Sequence, residues 1–463
     1  MPIPASENPA SENETAVSKI SLKEALQAAR ETRELVVAPG ALSQVARVFA
    51  EQFPGCAAVV VGDVNTMRVA GDAVRAALAS AGVPLLDSFV YNDAGLYAET
   101  AYVVRLEESL KTHQAIPVAV GSGTINDLVK LASHRTGRRY LCVSTAASMD
   151  GYTAFGASIT HEGAKQTFNC PAPQAVIADI DIIKQAPPDM TASGYADLLA
   201  KVTAGADWII AGVLGEEAID PRAWNLVQGG LREALARPAE ARSGEPVAIS
   251  QLTEGLMLGG FAMQWARSSR PASGAEHQFS HLWDMEHHTH NGAAPSHGFK
   301  VGVATRTVTL FYEQLMLLDV AGLDVERLCA AWPSRDAVLE KVKAEFASGD
   351  FAGTAVRETG AKYVDAGQLR KQLTLLKEKW PEIVHRLSVQ LIPGDEIKRR
   401  LVAVGAPVEP EQIGISRARL RDSFHKAYHI RRRFTVLDLA TRAGCFDACL
   451  GGLFGPGGVW EIK

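Results

Sequence analysis

The sequence predicts an α/β N-terminal domain built on a mainly parallel sheet, followed by an all-α C-terminal domain. Three observations predict it. Short apolar runs alternate with amphipathic stretches up to about residue 188: AAVVVG (Ala57 to Gly62), PLLDSFVY (Pro84 to Tyr91), IPVAVG (Ile116 to Gly121), YLCVST (Tyr140 to Thr145) and AVIAD (Ala175 to Asp179). Between them lie segments such as RVAGDAVRAALASAG and INDLVKLASHRTG, and strand–helix–strand repetition of this kind puts helices on both faces of a parallel sheet. After Pro187-Pro188 the chain reads as helices separated by Gly and Pro breaks, as in EALARPAEARSG and LIPGDEIKRRL, with no strand-like run and no internal repeat. Finally, 463 residues exceed one ordinary core, so two domains and a cleft between them are expected. The expected boundaries are a disordered tail over 1–22, an α/β domain over 23–188 and an α-helical domain over 189–463. The tail is assigned because MPIPASENPASENETAVSKI has few large apolar groups to offset the entropy of ordering.

Composition excludes several function classes. Hydrophobic residues at 47% and charged residues at 21% fit a globular chain, not a disordered or fibrous one. The 47 Lys and Arg are outnumbered by 52 Asp and Glu and form no long basic run, so nucleic acid is not an expected partner. The short cluster Arg431, Arg432, Arg433 reads as a helix face or a local anion contact. The six cysteines form no C-x-x-C pair, and no signal-like apolar stretch follows a basic start, which predicts reduced thiols in a cytoplasmic protein. The longest apolar runs, such as Cys56 to Val61, are strand-sized, so no membrane partner is expected.

The segment IPVAVGSGTINDLVKLA predicts a buried strand, a turn of Gly121, Ser122 and Gly123, and a helix from near Ile125. Glycines let the backbone approach a pyrophosphate, and the helix N-terminus offers unpaired N–H groups at a positive dipole end. Asn126 stands where the third glycine of the dinucleotide fingerprint would be, so the motif alone is also compatible with a plain strand-to-helix turn. A second strand end, YLCVSTAASMDGYTAFGASI, carries Ser144, Thr145, Ser148 and Asp150. In a Rossmann-like sheet both segments would meet at one crevice outside the strand ends; the alternative is that the hydroxyls only cap helices. Asp63, in VVVGDVNT, is placed either to bond a ribose hydroxyl or to stabilise its own turn.

Half of the twelve histidines fall between His277 and His297. His277 and His281 are four apart, so on a helix they share one face, while His297 is expected near a helix start after a loop. Two imidazoles and a carboxylate would make an open three-ligand metal site. Spacing supports His277 with His281 as readily as with His297, and does not select Asp197 from the other acids. Adjacent His287, His288 and His290 offer poor geometry for one ion and are expected to face solvent.

Together, STAASMDGYTAFGASI (Ser144 to Ile159), SGYADLLAK (Ser193 to Lys201), SRPASGAEHQFSH (Ser269 to His281) and SHGFKVG (Ser296 to Gly302) resemble the iron-containing alcohol dehydrogenase superfamily, and within it the bacterial glycerol-1-phosphate dehydrogenases. The resemblance runs from about Leu35 into the C-terminal region and implies the two-domain fold shared with the dehydroquinate synthases. It implies Asp197, His277 and His297 as ligands of one zinc, nickel or iron ion. It implies a pyrophosphate loop of Gly121, Ser122, Gly123 and Thr124, completed by Asp127 and Lys130, with Thr145 and Ser148 as a second nucleotide segment. Asp150 matches an aspartate facing substrate hydroxyls, and His281 a non-ligand histidine near the nicotinamide. Two departures stand out: Gly-Ser-Gly replaces a triple glycine, and a His-rich stretch from Trp283 to Ala294 lengthens the path between the two histidine ligands.

The implied reaction is reversible reduction of dihydroxyacetone phosphate to sn-glycerol-1-phosphate with NAD(P)H, in a homodimer. Catalytic roles fall to His281, as a proton relay, and to Asp150. Lys165, His161 and Lys201 are the expected phosphate contacts. An Asp63 carboxylate facing the ribose would repel a 2′-phosphate and favour NAD. The alternatives are a glycerol or other polyol dehydrogenase of the same superfamily, a dehydroquinate synthase-like lyase, for which a Glu would stand in place of Asp197, and a non-catalytic nucleotide- or metal-binding protein.

Overall fold

A computed structural model describes residues 17–93, 95–161, 164–347 and 351–463. Most of the expected tail lies outside the described residues; its last part leads directly into a short helix at Leu22–Ala28 that Ser21 caps. Eight strands follow in chain order: β1 (Glu34–Ala38), β2 (Ala58–Asp63), β3 (Phe89–Tyr91), β4 (Ile116–Gly121), β5 (Leu141–Ser144), β6 (Ala157–His161), β7 (Ala164–Phe168) and β8 (Ala175–Asp179). Six of them form one parallel sheet in the order β1-β8-β5-β4-β2-β3, and β6 with β7 makes an antiparallel hairpin. The central strands read as continuous apolar runs because both faces are covered. Val59, Val61, Ala119, Cys142 and Val176 pack into one core, and Val60, Val118, Val120, Leu141 and Ile177 into the other.

Chain order fixes where a ligand crevice can open. From β2 the chain runs outward to β3 at the sheet edge, then returns to lay β4 on the opposite side of β2. The order therefore reverses between β2 and β4, and the crevice opens at their carboxyl ends, Asp63 and Gly121. Three features differ from expectation. The β1 strand and the β6/β7 hairpin were not predicted, and the run Pro84 to Tyr91 is strand only over Phe89–Tyr91, with Leu85 making an isolated bridge to Ala58. Edge position explains β1, whose five residues are all only partly buried.

Beyond Asp179 every regular element among the described residues is helical. Those that build the site are α1 (Gly123–Arg135), which follows β4, then α2 (Pro188–Leu199), α3 (Lys201–Val213), α4 (Pro246–Ala266), α5 (Ala275–Met285), α6 (His297–Met316) and α7 (Arg417–His429). Pro188 begins α2, where a missing N–H costs nothing, and the Ser296 hydroxyl accepts the Phe299 N–H to cap α6. The inward face of α5 packs on α7: the Phe279 and Phe424 rings are 4.8 Å apart, and Trp283 Nε1 donates to Ser423 Oγ at 2.9 Å. Its other face carries His277, His281 and Asp284. A buried carboxylate on α3 joins distant segments: Asp207 accepts the Tyr312 hydroxyl at 2.6 Å and the N–H groups of Ala275 and Val436 at 2.6 and 2.7 Å. Burial, with Glu276 close by, pushes its pKa up to about 7.

Candidate active site

At the switch point, Gly121 ends β4 and Ser122 precedes α1, which begins at Gly123, two residues earlier than expected. The Ser122 hydroxyl makes no capping bond, so the first-turn N–H groups of α1 remain available to an anion. A Cβ on Gly121 would lie 2.6 Å from the Ile125 side chain, too close without a shift, and one on Gly123 would meet the flexible end of Met149 at 3.0 Å. The Thr145 N–H donates to the Gly121 carbonyl at 3.1 Å, which brings the second segment alongside the first. Ser148 Oγ lies 3.3 Å from the Tyr152 hydroxyl. Asp63 caps the turn after β2, its Oδ1 accepting the N–H groups of Asn65 and Thr66 at 2.8 and 2.9 Å.

Asp127 and Lys130 lie farther along α1 and act on the loop that carries Asp150. Lys130 Nζ donates to the carbonyls of Gly151, Ala154 and Gly156 at 2.9, 3.0 and 3.0 Å. Asp127 accepts the Ser158 N–H at 3.2 Å and lies 3.7 Å from Lys130 Nζ. Asn126, in the third-glycine position, accepts the Tyr140 hydroxyl at 2.9 Å and donates to the Gly151 carbonyl at 3.3 Å. Lys130 thus staples the loop and does not complete the pyrophosphate turn, because it sits two helical turns beyond Gly123.

The structure brings Asp197, His277 and His297 together, with one potential ligand atom from each lying within 4.8 Å of the others. Asp197 occupies the last turn of α2. His277 is in the first turn of α5, and His297 opens α6. Two glycines allow the convergence. A Cβ on Gly298 would stand 1.8 Å from the Ser193 carbonyl oxygen, and one on Gly194 would stand 1.9 Å from that of Ala147. So α6 and the Ala146–Asp150 segment both touch the backbone of α2, around Asp197.

Local bonds aim each side chain. Glu276 accepts the Gly274 N–H at 2.6 Å and the Thr203 hydroxyl at 2.8 Å, and its Oε1 lies 2.7 Å from His277 Nδ1. With that proton on Nδ1, Nε2 faces Asp197 Oδ1 at 3.7 Å, the arrangement by which a carboxylate orients a metal-binding imidazole. Burial pushes the Asp197 carboxyl up, but the Lys201 ammonium and His277 outweigh it and hold it well below the usual carboxylate range. Burial pulls the His297 imidazole down to about 3, with the positive charges of His277, Lys165 and Lys300 adding to the effect and Asp197 opposing it. His277 is held above its ordinary value despite burial, because Asp197 and Glu276 accept its protons. The Nδ1 atoms of His281 and His297 are buried without a hydrogen-bond partner. Two imidazoles and one ionised, buried carboxylate at this spacing fit a single divalent ion.

Asp150 and Lys201 complete the inner layer. The Asp150 N–H donates to Asp197 Oδ2 at 3.1 Å, and its own Oδ2 lies 2.6 Å from Lys201 Nζ, which is also 2.8 Å from Asp197 Oδ1. Burial and the neighbouring Asp197 push the Asp150 carboxyl above its ordinary value, against the pull of Lys201. Lys201, expected as a phosphate contact, is instead fully buried between these two carboxylates. His161 lies 3.1 Å from Thr100 Oγ1 at the start of the helix Thr100–Lys111. Lys165, on β7, reaches the Tyr97 hydroxyl at 3.5 Å, and β7 packs against α5.

The His-rich stretch is a brace. His287 is exposed, but His288 is buried, contrary to expectation: Arg419 donates to its Nδ1 at 2.8 Å, leaving Nε2 to donate to the Ile413 carbonyl at 2.6 Å. Glu286 is tied to Arg419 and Lys426, both at 2.9 Å. His290 is half-buried and pairs with Ala293. Sequence reasoning missed Glu276 and the double pairing of Lys201, since neither has a spacing signal.

A parallel sheet with a helical half behind it is a fold that this chain shares with solved structures. A probable glycerol dehydrogenase from Sinorhizobium meliloti 1021 superposes with a TM-score of 0.57 over 90% of this chain and 96% of its own, at 16% identity. A model of the iron-containing alcohol dehydrogenase family matches residues 36–187. Among curated proteins, a glycerol-1-phosphate dehydrogenase [NAD(P)+] of Geobacillus stearothermophilus is 31% identical, covering 69% of this chain and 70% of its own. One from Halalkalibacterium halodurans is 29% identical, covering 82% and 84%. The chain belongs to the iron-containing alcohol dehydrogenase family, in its glycerol-1-phosphate dehydrogenase branch.

Proposed function

We propose that this chain reversibly reduces dihydroxyacetone phosphate to sn-glycerol-1-phosphate, using NAD(P)H and one divalent metal ion. The observation that carries the reading is the convergence of the Gly121–Gly123 turn and the Ser148–Asp150 loop on Asp197, His277 and His297. The relatives' names supply the substrate. The division of labour follows the two halves: residues 23–188 bind the nucleotide and 189–463 hold the metal and substrate, with Asp150 and Lys165 reaching the substrate from the first half.

When bound, the divalent ion supplies a Lewis acid for the substrate oxygens and the nicotinamide supplies the hydride. Asp197, His277 and His297 hold the ion, with Glu276 orienting His277. Gly121, Ser122, Gly123 and Thr124 receive the pyrophosphate, Thr145 and Ser148 the adjoining nucleotide, and Asp63 the ribose. Asp127 acts through the hairpin. Asp150 accepts a substrate hydroxyl, and Lys201 keeps it in place. His281 is neutral, since burial and the charges of Arg431, His277, His297 and Lys165 hold its pKa well below the ordinary value, so its bare Nδ1 can exchange the carbinol proton. Lys165 meets the phosphate. We propose a homodimer in the cytoplasm; family resemblance supports the first, and six free cysteines support the second.

The test is an assay of metal-reconstituted protein with dihydroxyacetone phosphate and either NADH or NADPH, followed by chiral analysis of the product. Metal-dependent formation of sn-glycerol-1-phosphate is expected, with loss of metal and turnover in His297→Ala. No turnover of this substrate, or full activity in metal-free His297→Ala, would overturn the reading.

A further inference from the structure

Lys201 is the first residue of α3, and its side chain is fully buried. Two carboxylates share its ammonium, Asp150 through Oδ2 at 2.6 Å and Asp197 through Oδ1 at 2.8 Å. The same Asp197 oxygen faces His277 Nε2 at 3.7 Å, so the ammonium sits against the ligand group itself. Asp150 Oδ2 and Asp197 Oδ1 are no farther apart than those two contacts laid end to end. Yet among the described residues the grouping within 4.8 Å is Asp197, His277 and His297, and leaves Asp150 out.

The backbone of Asp150 is fixed independently of its carboxylate. Its N–H donates to Asp197 Oδ2 at 3.1 Å, and Lys130 Nζ holds the next carbonyl, that of Gly151, at 2.9 Å. From behind, α4 closes on the loop: a Cβ on Gly260 would stand 2.7 Å from the Asp150 carbonyl oxygen, and Thr153 Oγ1 donates to the Met257 carbonyl at 2.7 Å. A Cβ on Gly259 would lie 3.6 Å from Asp150 Cβ and 3.9 Å from Lys201 Cε, so α4 backs both side chains. With the backbone held, only side-chain rotation is left to Asp150, and the contact with Lys201 selects one setting. A carboxylate this near a divalent ion is otherwise a ready fourth ligand. Sites closed by four protein ligands are structural, whereas catalytic sites keep a position open.

We propose that Lys201 keeps the metal centre open by holding the Asp150 carboxylate off the ion, which leaves a coordination position for substrate oxygens. This rests on the metal site of the proposed function and gives Lys201 a positioning role beyond neutralising buried charge. With the ammonium gone, Asp150 and Asp197 would both turn to the ion, and the position meant for substrate would be taken.

The test uses the whole chain loaded with cobalt(II), whose visible absorption reports the ligands of the ion, and azide as a small anion that needs an open position. The wild-type spectrum should shift on adding azide. Lys201→Gln, which removes the charge, should bind cobalt(II) at least about tenfold more tightly and lose the azide response. The double variant Lys201→Gln with Asp150→Asn should regain that response, because the closing ligand is gone. Asp150→Asn alone leaves the Lys201–Asp197 pair intact and should keep the wild-type cobalt spectrum. Lys201→Gln that responds to azide as the wild type does, or that binds cobalt(II) no more tightly, would overturn the proposal. So would an altered spectrum in Asp150→Asn, which shows Asp150 already coordinating and decides the matter even if Lys201→Gln does not fold. Azide-responsive wild-type protein that fails to reduce dihydroxyacetone phosphate would overturn the proposed reaction and leave the role of Lys201 standing.

Discussion

Replacing Gly298 with alanine should separate the metal ligands without touching any of them. The new Cβ would lie 1.8 Å from the Ser193 carbonyl oxygen and 2.5 Å from its carbon, where real Cβ contacts essentially never fall under 3.0 Å. The start of α6 must therefore withdraw from α2 by at least about 1.2 Å. His297 is the preceding residue and moves with it, whereas Asp197 stays on α2. Metal–ligand distances tolerate only about 0.2 Å, so metal affinity should fall on the order of 10- to 100-fold or more. Overpacking should also cost about 1–3 kcal/mol of stability, offset by up to about 1 kcal/mol from the better helix propensity of alanine. The assay is metal content after dialysis against buffers of graded free metal, with urea unfolding of the same samples. A variant that holds metal as tightly as the wild type would show that the α2–α6 contact does not set the ligand spacing.

Two further substitutions probe the buried charges. Lys201→Met leaves Asp150 and Asp197 without their shared cation and should cost about 3–5 kcal/mol, read as a drop in the urea midpoint of metal-free protein; an unchanged midpoint would mean the carboxylates find other partners. Asp207 has a folded pKa of about 7 against an unfolded value near the ordinary carboxylate, so the native state keeps this proton longer. Its contribution is greatest in acid, declines as pH rises from about 4 to about 7 and is flat above that. Asp207→Asn should remove that slope from urea midpoints measured at pH 5, 6 and 7.5, and an identical slope in both proteins would rule out Asp207 as its source.

The sheet was legible where both faces of a strand are covered. Val59 to Val61 and Val118 to Val120 announce β2 and β4 because parallel, sandwiched strands leave continuous apolar runs. β1 lies on an edge and β6/β7 carry Thr160, His161, Lys165 and Gln166 on a two-stranded hairpin, so neither shows the pattern. The site was legible in its residue types but not in its pairing. Four-residue spacing puts His281 on the face of His277, yet the grouping within 4.8 Å contains His297, because Gly298 lets α6 meet the backbone of α2. Such a contact joins residues 105 apart in sequence and leaves only a glycine as its trace. His288 was misread for a related reason: Arg419 and Ile413, which bury it, come from α7 and its approach, more than 120 residues downstream.

The bonds of Asp207 also set an order of assembly. Its partner Val436 N–H is made 229 residues later, roughly 10–50 s afterwards at usual rates of chain elongation. Until that segment is synthesised, the Asp207 carboxylate holds the Ala275 end of α5 without its third bond, and Arg433 cannot yet anchor the segment that leads into α5. The parallel-sheet half can fold while the ribosome is still working, but α5, which carries His277, is locked only by the last part of the chain. A nascent protein thus acquires its sheet early and the bracing of the proposed metal site late, so premature termination before Val436 yields a chain with a formed sheet and an unbraced α5.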